Sequence, residues 1–223
     1  MKYLGKLFLS LKEIFIIMLL QYIILFLCFI IIGPDSTILF GSVILMVLQI
    51  IYIIYKIYKG KDLKFSFNSK TYLPYILLGI GISTVYNMII FKLGLNKVTN
   101  TDFPIILNIL CSGIVGPIFE EILFRYDLIR RLEKFNSKRW IIMVFAIVIF
   151  GLMHTGITTI IYAMIIGLIN SYFYMKDKDI MKPIIVHIAS NIFVIFLTGY
   201  NTITLILGII LIVVSYFIVR CDK

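Results

Sequence analysis

The sequence predicts an all-α, polytopic membrane protein with about eight transmembrane helices, and three observations lead to this prediction. The chain has 223 residues, of which 61% are apolar, and a mean hydropathy of +1.08, which is more apolar side chain than a globular core of this size buries. Its apolar runs approach the roughly 20 residues that a helix needs to cross a bilayer. The runs lack the alternation of period two that a membrane β-barrel requires.

Eight apolar runs mark the predicted spans. They cover residues 14–32, 37–55, 72–91, 104–124, 140–154, 156–174, 183–199 and 202–219. The first run follows three lysines, as in a signal peptide, but no small-x-small cleavage site follows it, so we expect it to remain as the first helix. The connections are short. We therefore predict a single transmembrane domain over residues 1–223, with a motif-bearing core at about 104–199.

The net charge of +10 is explained by membrane topology. If the chain crosses eight times, all but two of its 21 Lys and Arg residues lie on the side of the N-terminus, the exceptions being Lys92 and Lys97. This asymmetry is the positive-inside pattern, with both termini cytoplasmic. We expect the lipid bilayer, and no nucleic acid, as the partner of these charges. The Lys- and Ile-rich composition and short loops suggest a bacterial cell membrane.

Few strongly polar residues fall inside the spans. A charged side chain at a helix centre costs about 2.5–3.5 kcal/mol, so each one needs a partner or a function. Of the eleven acidic residues, only Glu120 and Glu121 are predicted to be embedded. The two histidines of the chain, His154 and His187, fall inside or at the edge of a span. These four residues are the first candidates for a functional site.

The two adjacent glutamates are predicted to have different tasks. Neighbouring side chains on a helix diverge by about 100°, whereas Glu121 and Arg125, four residues apart, share a face and can pair. Glu120 is then left to act as a general base. The alternative is that both glutamates are held in salt bridges at the membrane interface.

Two further pairs have the same spacing of four residues. Phe150 and His154 share one helix face, and so do His187 and Asn191. An imidazole and a carboxamide side by side supply the two donors that the oxyanion of a reacting peptide requires. The same pair could instead form an interhelical hydrogen bond.

The expected depths of these groups in the membrane differ. At about 1.5 Å per residue, straight vertical helices put Glu120, His154 and His187 at different levels. Bringing them together requires helix tilt, or a helix break at Gly151 or Gly156.

The residues allow two chemistries. In the first, Glu120 and His154 activate a water molecule, and His187 and Asn191 stabilise the oxyanion without a metal. In the second, Glu120, His154 and His187 hold Zn²⁺ with water in the fourth position. The chain lacks the H-E-x-x-H helix that commonly delivers such ligands, which weakens the second chemistry without removing it.

Three motifs in this order carry a family resemblance: Glu120-Glu121-x-x-x-Arg125, Phe150-x-x-x-His154 and His187-x-x-x-Asn191. The pattern resembles the CPBP (CAAX protease and bacteriocin-processing, or Abi) family of intramembrane proteases, which includes the type II CAAX prenyl endopeptidases. The resemblance covers roughly residues 104–199. It implies an eight-helix fold with a catalytic cavity that opens toward the cytoplasm.

The resemblance also implies an activity. The chain would be an endopeptidase that cuts a small membrane-associated or lipidated peptide, or a leader precursor. Its implied catalytic residues are Glu120 and His154 as the water-activating pair and His187 and Asn191 as the oxyanion pair. The implied supporting residues are Glu121, Arg125 and Phe150. We favour the chemistry without a cofactor, with zinc as the alternative.

A non-enzymatic function is the alternative prediction. The chain would then be a bacteriocin self-immunity protein or a membrane scaffold without proteolytic activity. An intact set of buried polar groups argues against this function, because a scaffold does not need them. A small transporter is disfavoured because the sequence shows no inverted repeat. The sequence indicates no oligomeric state.

Overall fold

Eight helices make up most of the described chain. The computed structural model describes residues 2–60, 62–66, 72–95, 103–134, 138–197 and 201–221, with side chains except at 2–10, 35 and 221. The helices are α1 (Lys2–Ile32), α2 (Pro34–Lys59), α3 (Leu73–Lys92), α4 (Ile105–Glu133), α5 (Arg139–Leu152), α6 (Ile157–Asp177), α7 (Met181–Phe196) and α8 (Thr202–Cys221). The described residues contain no β-strand, so the predicted all-α fold is confirmed.

Six of these helices are long and apolar enough to cross a membrane, namely α1 to α4, α6 and α8. The other two, α5 and α7, are shorter apolar helices. Large apolar side chains are exposed along α1, α2 and α8, as expected for surfaces that face lipid. On α5, the exposed side chains form a stripe: Trp140, Val144, Val148 and Leu152. The prediction of a multi-pass membrane protein is therefore confirmed.

Most helix ends agree with the predicted spans, but α4 is an exception. The fourth span was predicted to end at residue 124, because the chain becomes charged there. Instead, α4 continues to Glu133, and Arg125 and Asp127 are buried within it. This part of the prediction was wrong because Arg125 pairs with Glu121 and Asp127 pairs with Lys56 inside the protein. The predicted end of the seventh span, at residue 199, lies outside the described residues.

Helix α4 is central to the packing. It contacts α1, α2, α5, α6 and α7, while α3 packs mainly on α8 and α7, and α5 packs on α6. Much of the buried apolar core belongs to α4, including Phe119, Ile122, Leu123 and Phe124. Two parts of α4, Ile109–Val115 and Ile122–Ile129, are π-helical. The Glu120–Glu121 pair lies on a short α-helical part of this helix, between the two π-helical ones.

A network of ionic side chains joins α1, α2 and α4. The Lys56 Nζ lies 2.9 Å from a carboxylate oxygen of Glu13 and 2.8 Å from one of Asp127. The Tyr52 hydroxyl donates to Asp127, and Arg131 pairs with Glu13. The prediction that only Glu120 and Glu121 are embedded was therefore incomplete, because Asp127 is 9% exposed. Its charge is balanced by a lysine 71 positions earlier, which the sequence alone does not reveal.

Replacing Gly79 on α3 with alanine should destabilise the bundle. A Cβ atom at Gly79 would lie 2.3 Å from the carbonyl oxygen of Val186 on α7, and a backbone atom cannot move aside without shifting its helix. We expect the free energy of unfolding to fall by about 1–3 kcal/mol. Thermal unfolding in detergent, followed by circular dichroism, measures this change.

Gly41→Ala is the matched control for this experiment. Its Cβ atom would meet the end of the Leu25 side chain at 2.8 Å, and that side chain can adopt another rotamer. We expect a much smaller effect. Equal melting temperatures for Gly79→Ala and the unmodified protein would contradict the close approach of α3 to α7.

Candidate active site

Three predicted site residues from three parts of the chain meet at one point. Glu120 lies on α4, His187 on α7 and His154 in the connection between α5 and α6. The Glu120 Oε2 atom is 4.0 Å from the Nε2 of His154 and 3.8 Å from the Nε2 of His187. The Glu120 and His154 side chains are 29% and 24% exposed, whereas His187 is 6% exposed. The site is therefore open on the side of Glu120 and His154.

A helix break brings His154 to this point. Helix α5 ends at Leu152, and α6 begins after Gly156, whose φ of 85° suits a residue without a side chain. In the intervening turn, the Nδ1 of His154 lies 2.9 Å from the carbonyl oxygen of Phe150. Because a carbonyl oxygen only accepts hydrogen bonds, Nδ1 carries a proton here and Nε2 faces Glu120. The difference in predicted depths called for helix tilt or for a break at Gly151 or Gly156, and the observed break includes Gly156.

Glu121 points away from Glu120 into the protein interior. Its carboxylate is fully buried, with Oε2 3.0 Å from the Nε of Arg125. Its Oε1 lies 2.8 Å from the Nδ1 of His187 and accepts a hydrogen bond of 2.9 Å from the Nδ2 of Asn170. Glu121 thus compensates a buried cation and orients a histidine, while Glu120 faces both imidazoles.

Phe150 fills the space between the charged groups. Its ring centroid is 4.6 Å from the guanidinium carbon of Arg125, a distance typical of a cation–π contact. The ring also makes edge contacts with His154 at 4.9 Å and with His187 at 6.0 Å. Phe150 therefore packs against Arg125 and both histidine rings at once.

The chemical role of His187 depends on whether its Nε2 atom carries a proton. The Glu121 carboxylate accepts from Nδ1, so Nδ1 is protonated. The Nε2 atom, which faces Glu120, then carries a lone pair in the neutral ring and a proton only in the imidazolium ion. An oxyanion donor must be the imidazolium form, whereas a metal ligand must be the neutral form. The two chemistries suggested by the sequence therefore require different protonation states of this ring.

Asn191 lies four residues after His187 on α7 and has a backbone partner of its own. Its Nδ2 donates to the carbonyl oxygen of Ser112 at 3.0 Å, in the π-helical part of α4 before Glu120. Its Oδ1 lies 3.4 Å from the Ser190 hydroxyl. A carboxamide has two N–H donors, so one remains for another acceptor. The structure thus anchors Asn191 to α4.

Asn170 is a contact of the site that the sequence analysis missed. It lies in the middle of α6 and is fully buried, and its amide reaches Glu121. Asn170 is not ionisable and, unlike Asn191, does not lie four residues from a histidine. The available signal was a carboxamide in an otherwise apolar run, which is unfavourable in a bilayer unless it has a partner.

The donor types around Glu120 suit zinc. Each histidine presents Nε2 while its Nδ1–H is held by a carboxylate or a carbonyl, as is usual for zinc ligands. Zinc bonds of about 2.0–2.2 Å in a tetrahedron put ligand atoms roughly 3.5 Å apart. The separations of 4.0 and 3.8 Å are slightly wider. Within the described residues, no three His, Cys, Asp or Glu side chains are close enough to form a metal site.

Two comparisons with known proteins match this chain to peptidases. Residues 102–193 match the model of the type II CAAX prenyl endopeptidase Rce1-like family. A Bacillus subtilis (strain 168) protein with the name "Putative membrane peptidase YdiL" is 35% identical over 92 residues, which are 41% of this chain and 37% of that protein. The match thus spans little more than a third of the relative's length. No solved structure matches the chain.

Proposed function

On the premise that residues 102–193 belong to the CAAX protease family of membrane proteases, we propose that this chain is an intramembrane endopeptidase. It hydrolyses a peptide bond of a small membrane-associated or lipidated peptide, or of a leader precursor. The observation that carries this proposal is the approach of two Nε2 atoms to the carboxylate of Glu120, while Glu121 is occupied elsewhere.

Glu120 and His154 act on the attacking water. Their separation of 4.0 Å is too long for a direct hydrogen bond, and a water molecule can contact both atoms. Glu120 takes a proton from this water as its oxygen bonds to the peptide carbonyl carbon, and the carbonyl electron pair moves onto the carbonyl oxygen. The proton then passes to the leaving nitrogen as the C–N bond breaks. The products are a carboxylic acid and an amine.

His187 and Asn191 stabilise the oxyanion in this mechanism. The imidazolium form of His187 donates through Nε2–H, and Asn191 donates through the N–H that does not bind Ser112. Glu121 accepts from Nδ1 and thereby supports the doubly protonated ring. If zinc is bound instead, Glu120, His154 and His187 would hold it, and it would supply a water that ionises near neutral pH.

Chelation distinguishes these mechanisms. The protein is purified into lipid nanodiscs, its metal content is measured, and membrane-anchored peptides are followed by mass spectrometry with and without 1,10-phenanthroline. We expect cleavage to change by less than about twofold with the chelator, because general acid–base catalysis does not require a metal.

Two results would contradict parts of this proposal. One zinc ion per chain, with cleavage lost on chelation and restored by zinc, would reassign Glu120, His154 and His187 as metal ligands. No cleavage of any membrane-anchored peptide by folded protein would overturn the endopeptidase itself and favour a non-proteolytic immunity or scaffold protein.

A further inference from the structure

Asn170 reaches the site from a helix that carries none of the motif residues. It is fully buried on α6, and its Nδ2 lies 2.9 Å from the Oε1 of Glu121. The same oxygen accepts from the Nδ1 of His187 at 2.8 Å. One carboxylate oxygen on α4 thus receives N–H groups from two different helices, α6 and α7.

The orientation of the Asn170 amide follows from its surroundings. With the amide reversed, Oδ1 would face the Glu121 carboxylate, and two acceptors would meet where no water separates them. In the orientation present, Oδ1 is buried and has no hydrogen-bond partner among the described residues. A buried acceptor without a partner is unfavourable. The orientation of the amide therefore satisfies the contact with Glu121 and leaves Oδ1 without a hydrogen bond.

The contact with Asn170 restricts the Glu121 carboxylate. Arg125 has one nitrogen 3.0 Å from Oε2 and another 3.5 Å from Oε1. Without the Asn170 donor, Oε1 could turn toward the guanidinium and away from His187. The imidazole would then lose the acceptor that fixes its ring and its tautomer.

We propose that Asn170 is a positioning residue, which holds Glu121 Oε1 in line with His187 Nδ1 and so keeps His187 protonated at Nδ1 with Nε2 facing Glu120. The role in hydrolysis rests on the proposed endopeptidase activity. The effect on the histidine ring does not depend on that activity. The two parts can therefore be tested separately.

The first test is kinetic and uses Asn170→Leu, which has a similar volume and no donor. We expect kcat to fall about 10- to 100-fold, as for other groups that orient an active-site histidine, with KM within about twofold. Asn170→Gln, which keeps the carboxamide, should recover part of kcat. If Asn170→Leu does not fold, Asn170→Ala removes the donor without adding bulk.

Asn87→Leu is the matched control. Asn87 is also a carboxamide within a span, but its Nδ2 donates at 2.8 Å to the Ser83 carbonyl of its own helix, α3. We expect this variant to keep kcat. An equal loss of kcat in both variants, in step with equal losses of melting temperature, would show that Asn170 has only a structural role.

The second test observes the histidine ring directly by solid-state NMR of protein labelled with ¹⁵N-histidine in nanodiscs. The chain has two histidines, and the His154→Gln variant identifies the signals of His187. We expect Nδ1 of His187 to be protonated in the unmodified protein. In Asn170→Leu, a population with unprotonated Nδ1 should appear.

The outcomes separate the two claims. An altered His187 spectrum in a protein that cleaves no peptide would support the positioning by Asn170 and overturn the endopeptidase. An unchanged spectrum together with an unchanged kcat would overturn the role of Asn170 and leave the endopeptidase intact. An unchanged spectrum with a reduced kcat would also overturn it, because the loss would not act through His187.

Discussion

Replacing Glu120 with glutamine should lower peptide cleavage by about 10³-fold and leave the folded protein intact. The carboxamide has the shape of the carboxylate but cannot take a proton from water, and general acid–base catalysis contributes about 10²–10⁴ to a rate. The fold should not suffer, because the Glu120 side chain is 29% exposed and its distances to the histidines exceed those of hydrogen bonds. Cleavage in nanodiscs and melting temperature are measured together.

The control for Glu120→Gln is Asp62→Asn, which makes the same chemical change at a carboxylate outside the site. Asp62 is 63% exposed and pairs with Arg130 at the end of α4. We expect this variant to cleave peptide at nearly the normal rate. If Glu120→Gln also retained cleavage, Glu120 would not be the base. If the Glu120→Gln variant still protected cells that produce it, the immunity or scaffold function would be favoured.

Replacing Arg125 with leucine should cause the largest loss of stability. Arg125 and Glu121 are both fully buried, so removing the cation leaves a carboxylate in an apolar interior. Breaking such a pair on one side typically costs about 3–5 kcal/mol. Arg125→Leu also removes the contact of the guanidinium with Phe150. Unfolding in detergent, followed by circular dichroism, measures the free energy of unfolding.

A double variant and a surface control test the cause of this loss. Adding Glu121→Leu to Arg125→Leu removes the uncompensated charge, so the double variant should recover part of the lost stability. Arg130→Leu breaks a partly exposed pair with Asp62 and should cost less than about 1 kcal/mol. A cost below 1 kcal/mol for Arg125→Leu would show that Glu121 does not depend on Arg125.

The helices could be predicted from the sequence largely because lipid imposes a simple rule, that each span must be apolar and about as long as the bilayer is thick. The rule failed at α4. The burial of Asp127 depends on Tyr52 and Lys56, which are 75 and 71 positions earlier in the chain. Local hydropathy contains no information about such distant partners.

The ionisable part of the site could also be predicted from the apolar character of the spans. Ionisable residues are conspicuous in apolar runs, and the structure brings Glu120, His154 and His187 together. The partner of Asn191 is a backbone carbonyl, which every residue has, so no pattern marks it. Asn170 lacks a charge and a motif, and its partner lies 49 positions away.

The π-helical parts of α4 could not be predicted from residue periodicity. Sequence patterns for helices assume 3.6 residues per turn, and a π-helix has a wider turn. Two such parts, Ile109–Val115 and Ile122–Ile129, flank Glu120 and Glu121. Insertions of this kind often occur at functional sites. They alter which side chains of α4 face each neighbouring helix.

The shortness of α5 has a consequence for the surrounding lipid. Its exposed stripe, from Trp140 to Leu152, rises only about 18 Å at 1.5 Å per residue, whereas the hydrocarbon layer is about 30 Å thick. Thinning of the surrounding bilayer is one way in which a membrane accommodates a hydrophobic surface shorter than its hydrocarbon layer. Such thinning would bring headgroups and water closer to the turn that carries His154. For the proposed endopeptidase, a substrate peptide bond near the membrane surface would then travel a shorter distance to Glu120.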